Sequence, residues 1–314
     1  MPYDFLKGLV ADRVAPARHP LEFEEWRARI SERMNRESGR KWCAVIDSTS
    51  YPDLPGLLWA FQENAEIWPL FMNTMMHEIS LKGPVFVMFQ PDGIIADWLL
   101  TRAETSPVGI LYAVAEGKEN DLFEHLQNLL ETPLPETGTG LLRFYDPRVL
   151  HALTCFPDET WTRLTLGPAE SLHAWEPGRA EALELREGLP EILRECRSEP
   201  IPKELLDFMA RHNAPYAVLH EASNLKLTSR LMDQPLPEAF SFVETVCRSL
   251  DDLGVSGMAD LVVGVAYCLD VGANIFGTPS VIQWMKAADT TRPFPELLAD
   301  LPDELIREQV WQPL

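Results

Sequence analysis

The feature that most constrains this chain is a repeated alternation of short apolar runs with amphipathic stretches. Lys41 to Ser48 (KWCAVIDS), Pro84 to Phe89 (PVFVMF), Pro107 to Ala115 (PVGILYAVA) and Leu141 to Tyr145 (LLRFY) are bulky, partly aromatic and five to nine residues long, which suits strands. Leu54 to Asn64, Ile94 to Arg102, Asp121 to Leu130 and the residues after Pro147 follow them with helical spacing. Strand–helix alternation of this kind predicts an α/β (α+β) fold with a mixed sheet covered by helices, in which parallel pairs are expected. A run as continuously apolar as CAVI further indicates a strand buried on both faces.

The junction at Gly140 to Thr154 (GLLRFYDPRVLHALT) is the most strongly punctuated stretch. Asp146 stands where a helix N-cap belongs, since its carboxylate can accept backbone N–H bonds from the first turn. Pro147 occupies the first helical position, where its missing N–H is not needed. Val149, Leu150 and Leu153 give the following helix its apolar side. Downstream, Trp161 to Leu166 and Ser171 to Trp175 are predicted to form a hairpin about Gly167-Pro168, placing antiparallel strands at one edge.

Around this core, residues 1–40 read as a lead-in followed by an amphipathic helix. Phe23, Trp26, Ile30 and Met34 recur there at helical spacing. The α/β domain is expected over residues 41–180. From Glu176 to Pro202 the composition shifts to Glu, Arg, Gly and Pro, which marks a boundary. Residues 200–314 are expected to be all-helical, with a strongly apolar helix from Met258 in which Gly264 and Gly272 allow another backbone to approach closely.

Charge narrows the partners. The formal net charge is −21, from 48 acidic and 27 basic residues. An acidic surface is unsuited to nucleic acid, which needs cations to replace its counterions, and to anionic membranes. No apolar run reaches the roughly 20 residues that span a bilayer, and MPYDFLKGLVADRV lacks the apolar block of a signal peptide. The expectation is a cytoplasmic protein with neither nucleic acid nor membrane as partner. The five cysteines (Cys43, Cys155, Cys196, Cys247 and Cys268) are odd in number and show no C-x-x-C spacing, as reduced buried thiols would.

Catalytic signatures are sparse. The sequence has no G-x-S-x-G, no G-x-x-x-x-G-K-[ST], no strand-linked G-x-G-x-x-G and no H-E-x-x-H. Asp47 falls at the end of the first strand, where α/β proteins often bind ligands. Asp47-Ser48-Thr49 is like a phosphoryl-transfer site but lacks a second aspartate. His151 and Cys155 share a helix face at i and i+4, yet two groups do not make a metal site. No cofactor or metal is therefore expected, and Glu181, Glu184 and Glu187 read as a solvated face. Nine tryptophans are generous for this length. Large rigid aromatics concentrate binding energy at protein interfaces, and Trp284 and Trp311 stand out as interface candidates.

The block RFYDPRVL (Arg143 to Leu150), the LTLGP of Leu164 to Pro168, the strand CAVIDS (Cys43 to Ser48) and PVFVMF together resemble domain-of-unknown-function family 4123. One mild departure is Ser48-Thr49-Ser50 in place of a glycine-containing turn after Asp47. The resemblance implies an adaptor chaperone of type VI secretion, not an enzyme. Such a protein binds a toxic effector in the producing cell and helps load it onto the trimeric spike of the VgrG class. It implies as family-motif residues Asp47, Arg143, Phe144, Tyr145, Asp146, Pro147 and Arg148. Arg143 and Arg148 flank Asp146, and one of them can hold Asp47 or Asp146 through a bidentate pair, as a structural pin or as an effector contact. An adaptor must release its cargo, so a partly exposed apolar groove is expected, with the helical C-terminal region as the variable part that selects cargo. The competing expectations are a hydrolase with its site at the sheet edge near Asp47, and an immunity protein that blocks a toxin.

Overall fold

The computed structural model describes residues 17–19, 22–37, 39–48, 51, 54, 56, 65–72, 74–135, 138–186, 200–224, 231, 234–271, 274–288 and 291–307. Trp311, Cys196, Glu187 and Gly272 lie outside these residues, as does most of the helix expected over Leu54 to Asn64. The chain divides into two compact units, residues 1–209 and 210–314.

In chain order the first unit contains β1 (Ala17–His19), α1 (Phe23–Arg36), β2 (Arg40–Ile46), β3 (Ala65–Pro69), β4 (Val85–Phe89), α2 (Ile94–Arg102), β5 (Gly109–Ala115), α3 (Glu119–Leu130), β6 (Glu131–Pro133) and β7 (Thr139–Leu141). It continues with α4 (Pro147–Cys155), α5 (Thr160–Leu166), β8 (Ser171–Glu176) and β9 (Glu181–Arg186). A six-residue 3₁₀ segment, His77–Lys82, kinked at Ile79, precedes β4. Helix α6 (Lys203–Asn224) carries the division between units.

Seven strands make one sheet in the order β1-β9-β8-β5-β2-β4-β3, and β6 pairs with β7 separately. The alternation of side chains along the central strands explains why their sequences are apolar throughout. Trp42, Ala44 and Ile46 of β2 face one way, into a cluster with α1 (Phe23, Trp26, Ile30, Met34) and α2 (Ile95, Leu99). Cys43 and Val45 face the other, into a cluster with Leu122 and Leu126 of α3, Leu150 and Leu153 of α4, and Leu164 of α5. Helices therefore cover both faces of the sheet, as expected.

Strand direction differs from the expectation. Each described pairing is antiparallel. β4 and β5, joined through α2, do run the same way, because both are antiparallel to β2. The intervening β2 keeps them from being neighbours, so no parallel ladder forms. An apolar run records that both faces are covered; it does not record which strand lies alongside.

Two further expectations are corrected. Residues 160–166 are the helix α5, not the first strand of a hairpin. Threonine and tryptophan favour strands, but here Thr162 Oγ1 donates to Leu153 O at 2.7 Å and Thr165 Oγ1 to Trp161 O at 2.8 Å. Those hydroxyls are thereby satisfied inside a buried helix. The hairpin is formed one element later, by β8 and β9. The strand expected over Leu141 to Tyr145 is shorter and earlier, at Thr139–Leu141, and from Leu142 the chain turns inward. Phe144 and Tyr145 are buried core residues, not strand residues.

The second unit is helical, with α7 (Leu236–Asp251), α8 (Met258–Val271), α9 (Pro279–Ala287), α10 (Phe294–Ala299) and α11 (Asp303–Arg307). Its core gathers Val243, Val246 and Leu250 of α7, Val265 and Cys268 of α8, and Phe276, Val281 and Leu298. A Cβ on Gly264 would stand 2.6 Å from Leu250 Cδ1, so glycine permits the close approach of α8 and α7. Among the described residues, no helix is long and apolar enough to cross a membrane.

Candidate functional site

The punctuated junction and the end of the first long strand meet in space. β2 ends at Ile46, and the next residue, Asp47, is anchored by its N–H donating to Val108 O at 3.3 Å, while Ser48 Oγ donates to Gly83 O. The start of β5 approaches closely here. Gly109 has φ +156, and a Cβ there would lie 2.1 Å from Val45 O, so no other residue fits.

Asp146 caps α4 as its sequence position requires, accepting the Arg148 N–H at 3.0 Å. Its carboxylate is also gripped from the side by Arg148, with Nε at 2.9 Å from Oδ1 and Nη2 at 2.6 Å from Oδ2. This is the fork-to-carboxylate geometry that makes arginine pairs strong. Arg143 reaches in the other direction, donating from Nη2 to Asp47 Oδ2 at 2.6 Å, with Asp146 Oδ2 at 3.8 Å. Both arginines thus have roles, and both aspartates are held.

Burial is unequal within this cluster. The Asp47 and Asp146 side chains are 3% and 5% exposed, whereas Arg143 is 43% exposed and Arg148 29%. Two carboxylates lie inside and two guanidiniums cover them. Burial is the largest influence on both arginines and pulls their pKa values down, but Asp47, Tyr145 and Asp146 together outweigh it at Arg143, and Asp146, Glu176 and Asp47 together outweigh it at Arg148, so both are raised. Tyr145, whose ring lies 5.9 Å beneath the Arg143 guanidinium, is pushed up to about 12 by burial and by Asp47. These groups keep their charge states near neutrality. The arrangement fixes charge and shape, and it presents a positioned arginine edge at the surface; Arg143, Arg148 and Tyr145 are not poised to exchange protons at pH 7.

The other motif residues have packing roles. Phe144 is fully buried and packs edge-to-face on Tyr145 at 5.6 Å, and Pro147 opens α4. Trp284 lies partly buried on the core of the second unit. Near α4, His151 Nδ1 is 3.4 Å from Cys155 Sγ, and His151 Nε2 is 2.8 Å from Glu181 Oε2.

Two polar groupings had no clear signal in the sequence. Glu184, expected on a solvated face, is 7% exposed. It accepts Arg33 Nη1 at 2.8 Å, Arg29 Nη2 at 2.9 Å and Arg186 Nε at 2.8 Å. Arg33 also donates from Nη1 to His173 Nε2 at 3.1 Å. That bond requires the proton of neutral His173 on Nδ1, and burial drives its pKa down to about 3. The partners come from helix α1 and from strands some 140 residues later, which is why reading along the chain misses them. Glu176 is the second case. Completely buried at the end of β8, it accepts the N–H groups of Gly178 at 3.3 Å and Arg179 at 2.7 Å. Burial pushes it up to about 7, against the pull of Arg179.

A cleft of about 270 Å³ lies among Met34, Glu37, Arg40, Trp42, Phe89 and Asp92. It sits at the opposite end of β2 from Asp47.

Residues 42–163 match the model of the family described as Domain of unknown function (DUF4123). No curated protein and no solved structure matches the chain. The matched segment starts in β2 and ends in α5, so it contains all four members of the Asp47–Arg143–Asp146–Arg148 cluster. Helix α1 and strands β8 and β9 fall outside it, although they complete the sheet and one of its cores. Over residues 42–163 the chain is similar to that family.

Proposed function

We propose that this chain is a cytoplasmic adaptor chaperone of type VI secretion, which binds a toxic effector protein and helps load it onto the spike of the secretion apparatus. The similarity of residues 42–163 to the DUF4123 family carries the reading, through the association of that family with such adaptors. Three features support it. The net charge of −21 suits protein partners with basic patches better than nucleic acid. The cluster at the end of β2 uses buried aspartates to hold an exposed arginine in place, which serves recognition and stability more directly than proton transfer. The first unit exposes Met72, Met75, Ile79, Ile94 and Leu141, apolar side chains of the kind that a surface holding and then releasing a protein requires.

Deleting the gene for this chain tests the proposal. A partner toxin should lose abundance or delivery in the deletion strain, and the tagged chain should co-purify with both toxin and spike. Normal delivery of the toxin without this chain would refute it. Protection of recipient cells, with toxin delivery unchanged, would instead identify an immunity protein.

A further inference from the structure

Four of the large apolar side chains left exposed on the first unit gather at one place. Met75 is 67% exposed, Met72 46%, Ile79 42% and Leu141 41%. The backbone brings them together. Gln127 of α3 donates its side-chain N–H to the carbonyls of Leu70 and Met72, and Met75 N–H donates to Glu131 Oε1 at 2.5 Å. Glu131 stands directly across the β6–β7 ladder from Leu141, and Ile79 follows within the adjoining 3₁₀ segment. Met76, half-buried between them, packs on the core beneath. These four thus form a patch over a fixed floor, not scattered surface residues.

Acidic charge predominates beside the patch. Glu78 adjoins Ile79, Glu124 lies one helical turn before Gln127, and Glu131 accepts the Met75 N–H, against the base Lys82 on the 3₁₀ segment. Two of the apolar residues are methionines, whose unbranched, polarisable side chains repack against differently shaped partners. A methionine surface with an acidic rim is complementary to an apolar helix face flanked by lysine or arginine.

We infer that Met72, Met75, Ile79 and Leu141 form the docking surface for an amphipathic, basic-flanked helix of the partner protein. The inference deepens the adaptor reading and rests on it for the identity of that partner. The acidic rim steers and orients the helix, and the methionines seat its apolar face without demanding one side-chain shape.

The test uses the full chain with methyl-labelled methionine and two synthetic amphipathic helices, one of leucine and lysine, the other of leucine and glutamate. The Leu/Lys helix should shift the methyl resonances of Met72 and Met75. M72E and M75E should each weaken it at least tenfold with unchanged thermal melting, since both side chains are exposed. The Leu/Glu helix should bind at least tenfold more weakly than the Leu/Lys helix. Equal binding of the two helices, or unchanged affinity in both variants, overturns the inference. So does a concentration-dependent dimer abolished by M75E, which would make a second copy the occupant. If M75E still captures its toxin at the wild-type level, the patch fails and the adaptor reading survives. If the wild type captures no toxin while the Leu/Lys helix still docks on Met72 and Met75, the adaptor reading fails and the patch stands.

Discussion

Replacing Arg143 with alanine removes a cation held 2.6 Å from a carboxylate that is 3% exposed. Breaking one side of a fully buried ion pair costs about 3–5 kcal/mol, because the remaining charge is stranded. Arg143 is itself 43% exposed, however, so water screens part of the attraction, and fully exposed pairs contribute only about 0–1 kcal/mol. The structure places this pair between those limits, and R143A should cost about 1–3 kcal/mol. For a unit of this size, each kcal/mol moves the melting temperature by about 2–4 °C, so a shift of several degrees is expected. Tryptophan fluorescence in urea is a suitable assay: Trp26, Trp42, Trp68, Trp98, Trp161 and Trp175 all belong to the first unit. A double-mutant cycle with D47A isolates the pair, and its coupling energy should be about 1 kcal/mol or more. R143K keeps the charge but loses the planar fork, and should recover only part of the loss. If R143A and D47A add to within about 0.3 kcal/mol, the two side chains do not act as a pin and the reasoning is wrong. Unchanged stability of R143A with lost toxin capture would instead make Arg143 a direct contact.

Three other outcomes follow from the geometry. G109A should destabilise the first unit by about 2 kcal/mol or more, because its Cβ would meet Val45 O at 2.1 Å in a backbone conformation that side chains avoid; a denaturation midpoint equal to wild type would contradict this. Glu176 is raised from 4.5 to about 7 in the folded state, so it keeps a proton there that the unfolded chain has lost. Its contribution therefore makes stability fall as pH rises from about 4.5 to about 7, and E176Q should flatten that fall in urea melts across the window. His173 works in the opposite sense. Its pKa is lowered from 6.5 to about 3, so the unfolded chain binds the extra proton first and stability is lost as pH falls through that range. H173Q, which keeps a polar group beside Arg33, should lose less stability between pH 6.5 and 4 than wild type; an identical acid profile would argue against a buried neutral imidazole.

What the sequence determined by itself was everything encoded by local spacing. The N-cap at Asp146, the proline after it and the 3.6-residue recurrence of Phe23, Trp26, Ile30 and Met34 act within one or two turns of backbone. So does the doubly buried character of β2, because both of its faces are written into consecutive residues. Tertiary structure decided the rest. The antiparallel ladder depends on β2 inserting between β4 and β5, a choice among strand orders that no strand's own composition records. The helix at Thr160–Leu166 overrode a strand-favouring composition because its threonine hydroxyls found carbonyl partners in a buried setting. The choice of partner was likewise settled in space: Arg148 took the nearby Asp146, while Arg143 crossed 96 residues to Asp47. The Glu184 and His173 network and the methionine patch at Met72 and Met75 join segments distant in the chain. Electrostatic and apolar contacts depend on separation through space, and sequence distance carries little information about it once the backbone turns back on itself.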